Sequence, residues 1–183
     1  LKDVNCICND HIGNLSPLSK NYLMPLLAFD LKYSKSGTHI TLNYTEKEKI
    51  PTIEQLQERV DDSNPLLLTA GNKDLKESIS RELVFNFSRL FARSNTNLDF
   101  SANAAYRSHA ITMKTEFYDY ATERFGYTIP AGTLLSSPAN IEGNFNCSAT
   151  LETFTNFTRA KISLSPAVGW NYTRTPSYIL DNI

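Results

Sequence analysis

No stretch of this sequence approaches the roughly 20 consecutive apolar residues that a membrane-spanning helix needs, so no such helix is expected. Cysteine is scarce. Cys6, Cys8 and Cys147 are an odd number and do not make a disulfide framework. Cys6-x-Cys8 with His11 nearby would be half a metal site, but no second pair stands at ligand spacing, so no metal is expected. The seven glycines include no phosphate-cradling loop, and neither Gly-x-Ser-x-Gly nor His-Glu-x-x-His occurs. His11, His39 and His109 lie in separate segments, and His39 reads as a polar lumen residue rather than a base. No enzyme and no cofactor are expected. The net charge of −1 leaves no electrostatic case for nucleic acid as a partner. Initiator Met and signal-peptide pattern are both missing, which reads as an internal or processed piece.

What is there is aromatic and polar at once. Ten Phe and nine Tyr, with abundant Asn, Ser and Thr, favour β structure with polar faces. Six segments alternate with period two, which places each set of side chains on one side of a sheet. Strands are expected over residues 26–34, 38–46, 78–90, 97–107, 139–153 and 161–173. In "LAFDLKYS", Leu27, Phe29, Leu31 and Tyr33 oppose Ala28, Asp30 and Lys32. In "ELVFNFS", Leu83, Phe85 and Phe87 oppose Glu82, Asn86 and Ser88, with Val84 the exception. Helical period is weak everywhere, "TIEQLQERV" being the best short candidate.

The connections run short, long, short, long, short. "SKSG" is a tight turn in which Gly37 supplies positive φ; "ARSNT" and "TNFTR" are the other short ones. Transmembrane β-barrels alternate short periplasmic turns with long extracellular loops in this way. The fold class expected is therefore all-β: an antiparallel meander forming a partial segment of a transmembrane β-barrel. Leu31, Phe85, Phe100, Phe145 and Leu164 are expected to face lipid, with Asp30, Asn86, Asp99, Asn144 and Ser163 in the lumen. Tyr33, Tyr44, Tyr106, Trp170 and Tyr172 are expected near strand ends, at the membrane–water boundary. The alternative is a soluble extracellular β-sandwich acting as a binding or adhesion module, because a sandwich also alternates.

Six sequons occur, at Asn14, Asn43, Asn86, Asn146, Asn156 and Asn171. Asn–apolar–Ser/Thr triplets arise automatically on alternating strands, so they are read as strand pattern and not as glycosylation sites. Asp61, Asp62, Asp74 and Glu77 fit no calcium loop.

The order of "NYLMPLLAFDLKYSKS", "LNYT", "PTIEQLQ", "DSNPL", "GNKDLK", "PANIEGNFN" and "NYTRTP" resembles the C-terminal barrel of TonB-dependent receptors of Gram-negative bacteria. The resemblance covers about residues 21–176 and is most specific from Pro51 to Lys76. It implies an outer-membrane location with outer-membrane lipid as a partner. It also implies a barrel of more strands than these, of which the chain is a slice. Uptake of a nutrient ligand is implied too, driven by a TonB-type energy-coupling system through a plug absent from this chain. On this reading residues 1–20 are an extracellular loop segment and 21–183 the barrel portion, with long extracellular loops at 46–77 and 108–138. Asn64-Pro65 and Gly71-Asn72 should fold the first loop onto itself. Loops at a barrel mouth meet ligands first, which makes Gln55, Gln57, Arg59, Asp61, Asp62, Asn64 and Asn72 the ligand-contact candidates.

Overall fold

The computed structural model describes residues 25–178 and the backbone of 181 and 182. The expected loop segment 1–20, with Cys6, Cys8, His11 and the Asn14 sequon, lies outside the described residues. The chain runs through β1 (Ala28–Lys35), β2 (Thr38–Lys49), α1 (Ile53–Leu56), β3 (Val60–Asp61) and β4 (Leu67–Ala70). It continues through β5 (Ser78–Phe91), β6 (Thr96–Ser108), β7 (Ala110–Tyr118), β8 (Thr122–Arg124) and β9 (Tyr127–Ile129). Last come β10 (Thr133–Ile141), β11 (Asn144–Phe157), β12 (Ile162–Leu164), β13 (Ala167–Arg174) and β14 (Asp181–Asn182).

The main sheet has the order β1-β2-β5-β6-β11, with β12 and β13 both on the outer side of β11. Every pair in it is antiparallel. β12 and β13 continue one register against β11, from Phe157↔Ile162 to Phe145↔Arg174. They are one strand interrupted where Pro166 cannot donate to the ladder, although its carbonyl still accepts from Thr153 N at 3.0 Å. The six expected strands are thus present in neighbour order. One boundary needs correction: residues 139–141 belong to β10, and the fifth barrel strand begins only at Asn144, after Gly143 with φ +87°.

The short connections are built as their residues dictate. Ser36 (φ +49°) and Gly37 (φ +76°) form a two-residue turn with both angles positive, the geometry that matches strand twist. The other two turns end on left-handed residues, Asn95 (φ +46°) and Lys161 (φ +52°).

Registers sort the side chains into rows across the sheet. Leu31, Leu42, Phe85, Ala102, Ala149 and Trp170 form one row, and Tyr33, Ile40, Phe87, Phe100, Leu151 and Val168 the next. Trp170 is therefore midway along the apolar face and not at a strand end, which corrects its expected boundary position. The opposite face carries Asn43, Asn103, Ser148 and Asn171 in one row, and Thr41, Asn86, Ser101 and Thr150 in another.

That polar face is concave. A hollow of about 240 Å³ on it is lined by His39, Thr41, Asn86, Ser88, Asp99, Ser101, Thr150 and Glu152 among others. All five described sequon asparagines lie on this face, in strands. Their amides tie neighbouring strands together: Asn86 Nδ2 donates to Thr41 Oγ1 at 3.1 Å and Asn146 Nδ2 to Thr173 Oγ1 at 3.1 Å.

Among the described residues no second sheet covers the apolar face. Leu31 is 62% exposed, Val168 73% and Trp170 57%. Only Ser78 and Ile79, at the top of β5, are buried in the whole sheet. A sandwich buries one face of each sheet against the other, so the sandwich alternative is not what forms. The sheet is open, with β1 at one edge and β12/β13 at the other.

The buried core sits elsewhere. Leu68, Ala70, Tyr118, Ile129 and Leu135 cluster together, with Val60, Phe125 and Tyr127 packed against them. All eight come from the two long connections. These are expected as loops; they supply four strands of a second, five-stranded sheet ordered β14-β7-β10-β4-β3, to which β14, after β13, adds the fifth.

Candidate functional site

β7 and β10 continue β6 and β11 upward as one hairpin. Ile141↔Ala110 and Asn144↔Arg107 are successive steps of a single register, so nothing slips at the waist between them. The waist is held at His109 (φ +49°), whose backbone N–H donates to Glu142 Oε1 at 2.9 Å and whose ring lies 3.3 Å from the same oxygen.

Neighbour order reverses across this waist. In the main sheet β5 lies beside β6, and β13 beside β11. Above it β4, which leads into β5, pairs in parallel with β10, while β14, which follows β13, pairs in parallel with β7. The hairpin is turned over between the two sheets, so both long connections and the segment after β13 share one sheet at one end of the barrel wall.

Asparagines lock the first connection onto the hairpin. Asn72 donates its N–H to Gln55 O at 2.7 Å and its Nδ2 to Pro138 O at 3.0 Å. Asn140 pairs with the Lys76 backbone in both directions, accepting from its N–H at 2.8 Å and donating to its carbonyl at 3.0 Å. Gly71 is required for a different reason from a turn: a Cβ there would overlap the Gln57 backbone, which crosses against it.

The first connection is ordered by its own short-range chemistry. Thr52 and Gln55 form a capping box that starts α1, which lasts a single turn. Asn64 Oδ1 accepts from Leu66 N–H at 3.2 Å, an Asx turn ahead of Pro65.

Between these parts opens a cleft of about 710 Å³. Gln55, Gln57, Arg59, Asp61 and Asp62 line it, together with Glu54, Ser63, Thr69, Met113 and Pro138. Five of the seven ligand-contact candidates therefore converge. Asn64 and Asn72 do not line it; they hold its walls in shape. Asp61 accepts from Ser63 Oγ at 2.6 Å and from Ser63 N–H at 3.0 Å, bonds that hold its carboxyl below the usual range. Asp62 accepts from Tyr127 OH at 3.3 Å, which brings the tip of the second connection to the cleft. No group of His, Cys, Asp and Glu fit to hold a metal ion occurs among the described residues.

Beneath the hairpin tip lies a charged network that the sequence pattern did not reveal. Glu116, 6% exposed, accepts from Lys114 Nζ at 2.6 Å, Arg124 Nη1 at 2.7 Å and Tyr118 OH at 3.2 Å. Arg124 Nη1 also donates to Tyr118 OH at 2.6 Å. Burial acts to raise the Glu116 carboxyl, but the Lys114 and Arg124 contacts outweigh it and hold the group below its ordinary value.

An open, single-layered antiparallel sheet with a concave polar face, an uncovered apolar face, short turns at one end and an elaborated sheet at the other is the wall of a membrane β-barrel. Residues 14–182 match the model of the outer membrane protein beta-barrel family, and the chain belongs to that family. Its place is the cell outer membrane. No curated protein and no solved structure matches the chain.

Proposed function

We propose that this chain is the ligand-facing part of an outer-membrane receptor that takes up a nutrient in the TonB-dependent manner, and not an enzyme. The observation that carries the reading is the cleft. Five residues of one mouth loop, Gln55 to Asp62, line one hollow, built where two connections from the same rim are stapled together. Its amides, guanidinium and carboxylates offer hydrogen bonds of both kinds, which suits capture of a polar solute. Import past the polar lumen wall then requires a plug to gate it and an inner-membrane coupling system to drive it.

Solute depletion from a defined mixed medium tests this. Cells carrying the native protein are compared with cells carrying Gln57→Ala, Arg59→Ala and Asp62→Ala together. At least one solute should be removed only by the native protein, and a protonophore should stop its removal. The reading fails if the two strains deplete the medium alike at equal barrel abundance, or if depletion ignores the protonophore.

A further inference from the structure

Charge in this chain is segregated by height. The connections at the far rim are acid-rich: residues 46–77 hold eight Asp/Glu against five Lys/Arg, and 108–142 hold four against two. The short-turn end is the reverse. Residues 31–42, 85–98 and 153–168, which reach from the turns to about mid-sheet, contain no Asp or Glu. Each of these segments contains one of the three tight turns.

Five cations occupy that end: Lys35, Arg89, Arg93, Arg159 and Lys161. All five are exposed, and none is in an ion pair among the described residues. The nearest carboxylates along the strands, Asp99 and Glu152, face each other on the concave polar side. Lys35 and Arg89 lie on the apolar side, flanking Thr38 in one cross-strand row. Strand spacing puts their backbones about 10 Å apart. Arg93, Arg159 and Lys161 sit in the turns themselves.

The same rim is apolar immediately above. Phe91, Phe157, Ile162 and Leu164 share the outward face and are all exposed. The Arg89 guanidinium lies 5.0 Å from the centre of the Phe91 ring, nearer the turn than its own Cα row. A cation that leans along an aromatic toward the rim keeps its stem in hydrocarbon and its head at the polar boundary.

We propose that this turn end is a docking surface for anionic phospholipid headgroups of the leaflet on the periplasmic side. The apolar face already borders the acyl chains, and the cations form its continuous lower margin. Headgroup phosphates there neutralise charges that no carboxylate among the described residues pairs with, and each Lys or Arg near a membrane surface adds attraction that salt screens. The acid-rich opposite rim gives no such attraction, so the preference is confined to one leaflet. The inference rests on the outer-membrane location alone and stands or falls apart from the receptor reading.

Trp170, the single Trp of the chain, is exposed on the lipid face and serves as reporter. The protein is reconstituted in vesicles of phosphatidylcholine and phosphatidylglycerol in which one lipid or the other carries brominated chains that quench Trp. Brominated phosphatidylglycerol should quench several-fold more per mole than brominated phosphatidylcholine. The preference should vanish at 1 M salt, where the screening length is about 3 Å. It should also vanish when Lys35, Arg89, Arg93, Arg159 and Lys161 are all changed to Gln. Replacing the three arginines by Lys should retain it, and so should Lys47→Gln with Lys49→Gln at the other rim. Equal quenching by the two lipids at low salt overturns the proposal, as does a preference that survives neutralising the five cations. The salt series uses the unaltered protein, so a variant that fails to insert does not spoil the test.

Discussion

At the scale of single residues, the two faces of the sheet set what each position tolerates. Phe85 lies midway along β5 on the outward face, and Asn86 beside it lines the concave hollow. Phe85 is tilted against Phe100 with ring centroids 6.0 Å apart, on the face that no second sheet covers among the described residues. Phe85→Arg should cost about 2–4 kcal/mol near the midplane, whereas Asn86→Arg meets a watery wall and should cost far less. Denaturant titration in phospholipid vesicles checks it: equal costs at the two sites would refute the face assignment. These faces were legible in the sequence because period two survives in strands that pack nothing but lipid and water. Leu31, Phe85, Phe100, Phe145 and Leu164 do share one face, and Asp30, Asn86, Asp99, Asn144 and Ser163 the other. Of the ligand candidates, the cleft gathers the five from Gln55 to Asp62. Asn64 and Asn72 bond backbone instead, Leu66 N–H for the one and Pro138 O for the other, since an Asn in a loop is as apt to bond backbone as a ligand.

Elements of the far rim were harder to read, and β7 shows why. Its buried positions are Ala110, Glu116 and Tyr118, while Ile111, Met113 and Phe117 lie on the other face. A strand that buries a carboxylate inverts the apolar-in, polar-out rule on which alternation depends. The parallel pairings of β4 with β10 and of β7 with β14 are likewise invisible to local pattern, since they join residues far apart in sequence. Glu116 makes a pH prediction. Its folded value lies below the ordinary carboxylate value of about 4.3, so its stabilisation is complete above that value. It is lost as pH falls through the folded value. Protection factors of the amides across β7 and β10, which correct for the intrinsic slowing of exchange in acid, should therefore fall on acidification below about pH 4. Glu116→Gln should loosen the same amides at neutral pH by about 2 kcal/mol, less than a fully enclosed ion pair because Arg124 is partly in water. It should also flatten the acid response. An unchanged acid profile in the Gln variant would assign the effect to other carboxylates.

For the whole molecule, the decisive property is that the wall does not close. Six barrel strands are fewer than the roughly eight of the smallest barrels. β1 and β12/β13 each leave one side unpaired among the described residues. In a membrane, an unpaired strand edge leaves backbone N–H and C=O groups without partners where no water can reach them. In water, the same edges and the two exposed rows through Leu31 and Trp170 and through Val168 make a template for association. The buried core offers no remedy, because it lies in the far-rim sheet and covers none of the apolar wall. Produced alone without detergent, the chain should therefore sediment as associated species. Further strands of a complete barrel, pairing on both edges, should abolish that association. One other outcome would be informative: a compact soluble monomer, in which Phe85, Phe100 and Phe145 turn inward on one another. That result would mean the isolated sheet can curl its apolar face shut, and that the open wall is not the state this chain adopts by itself.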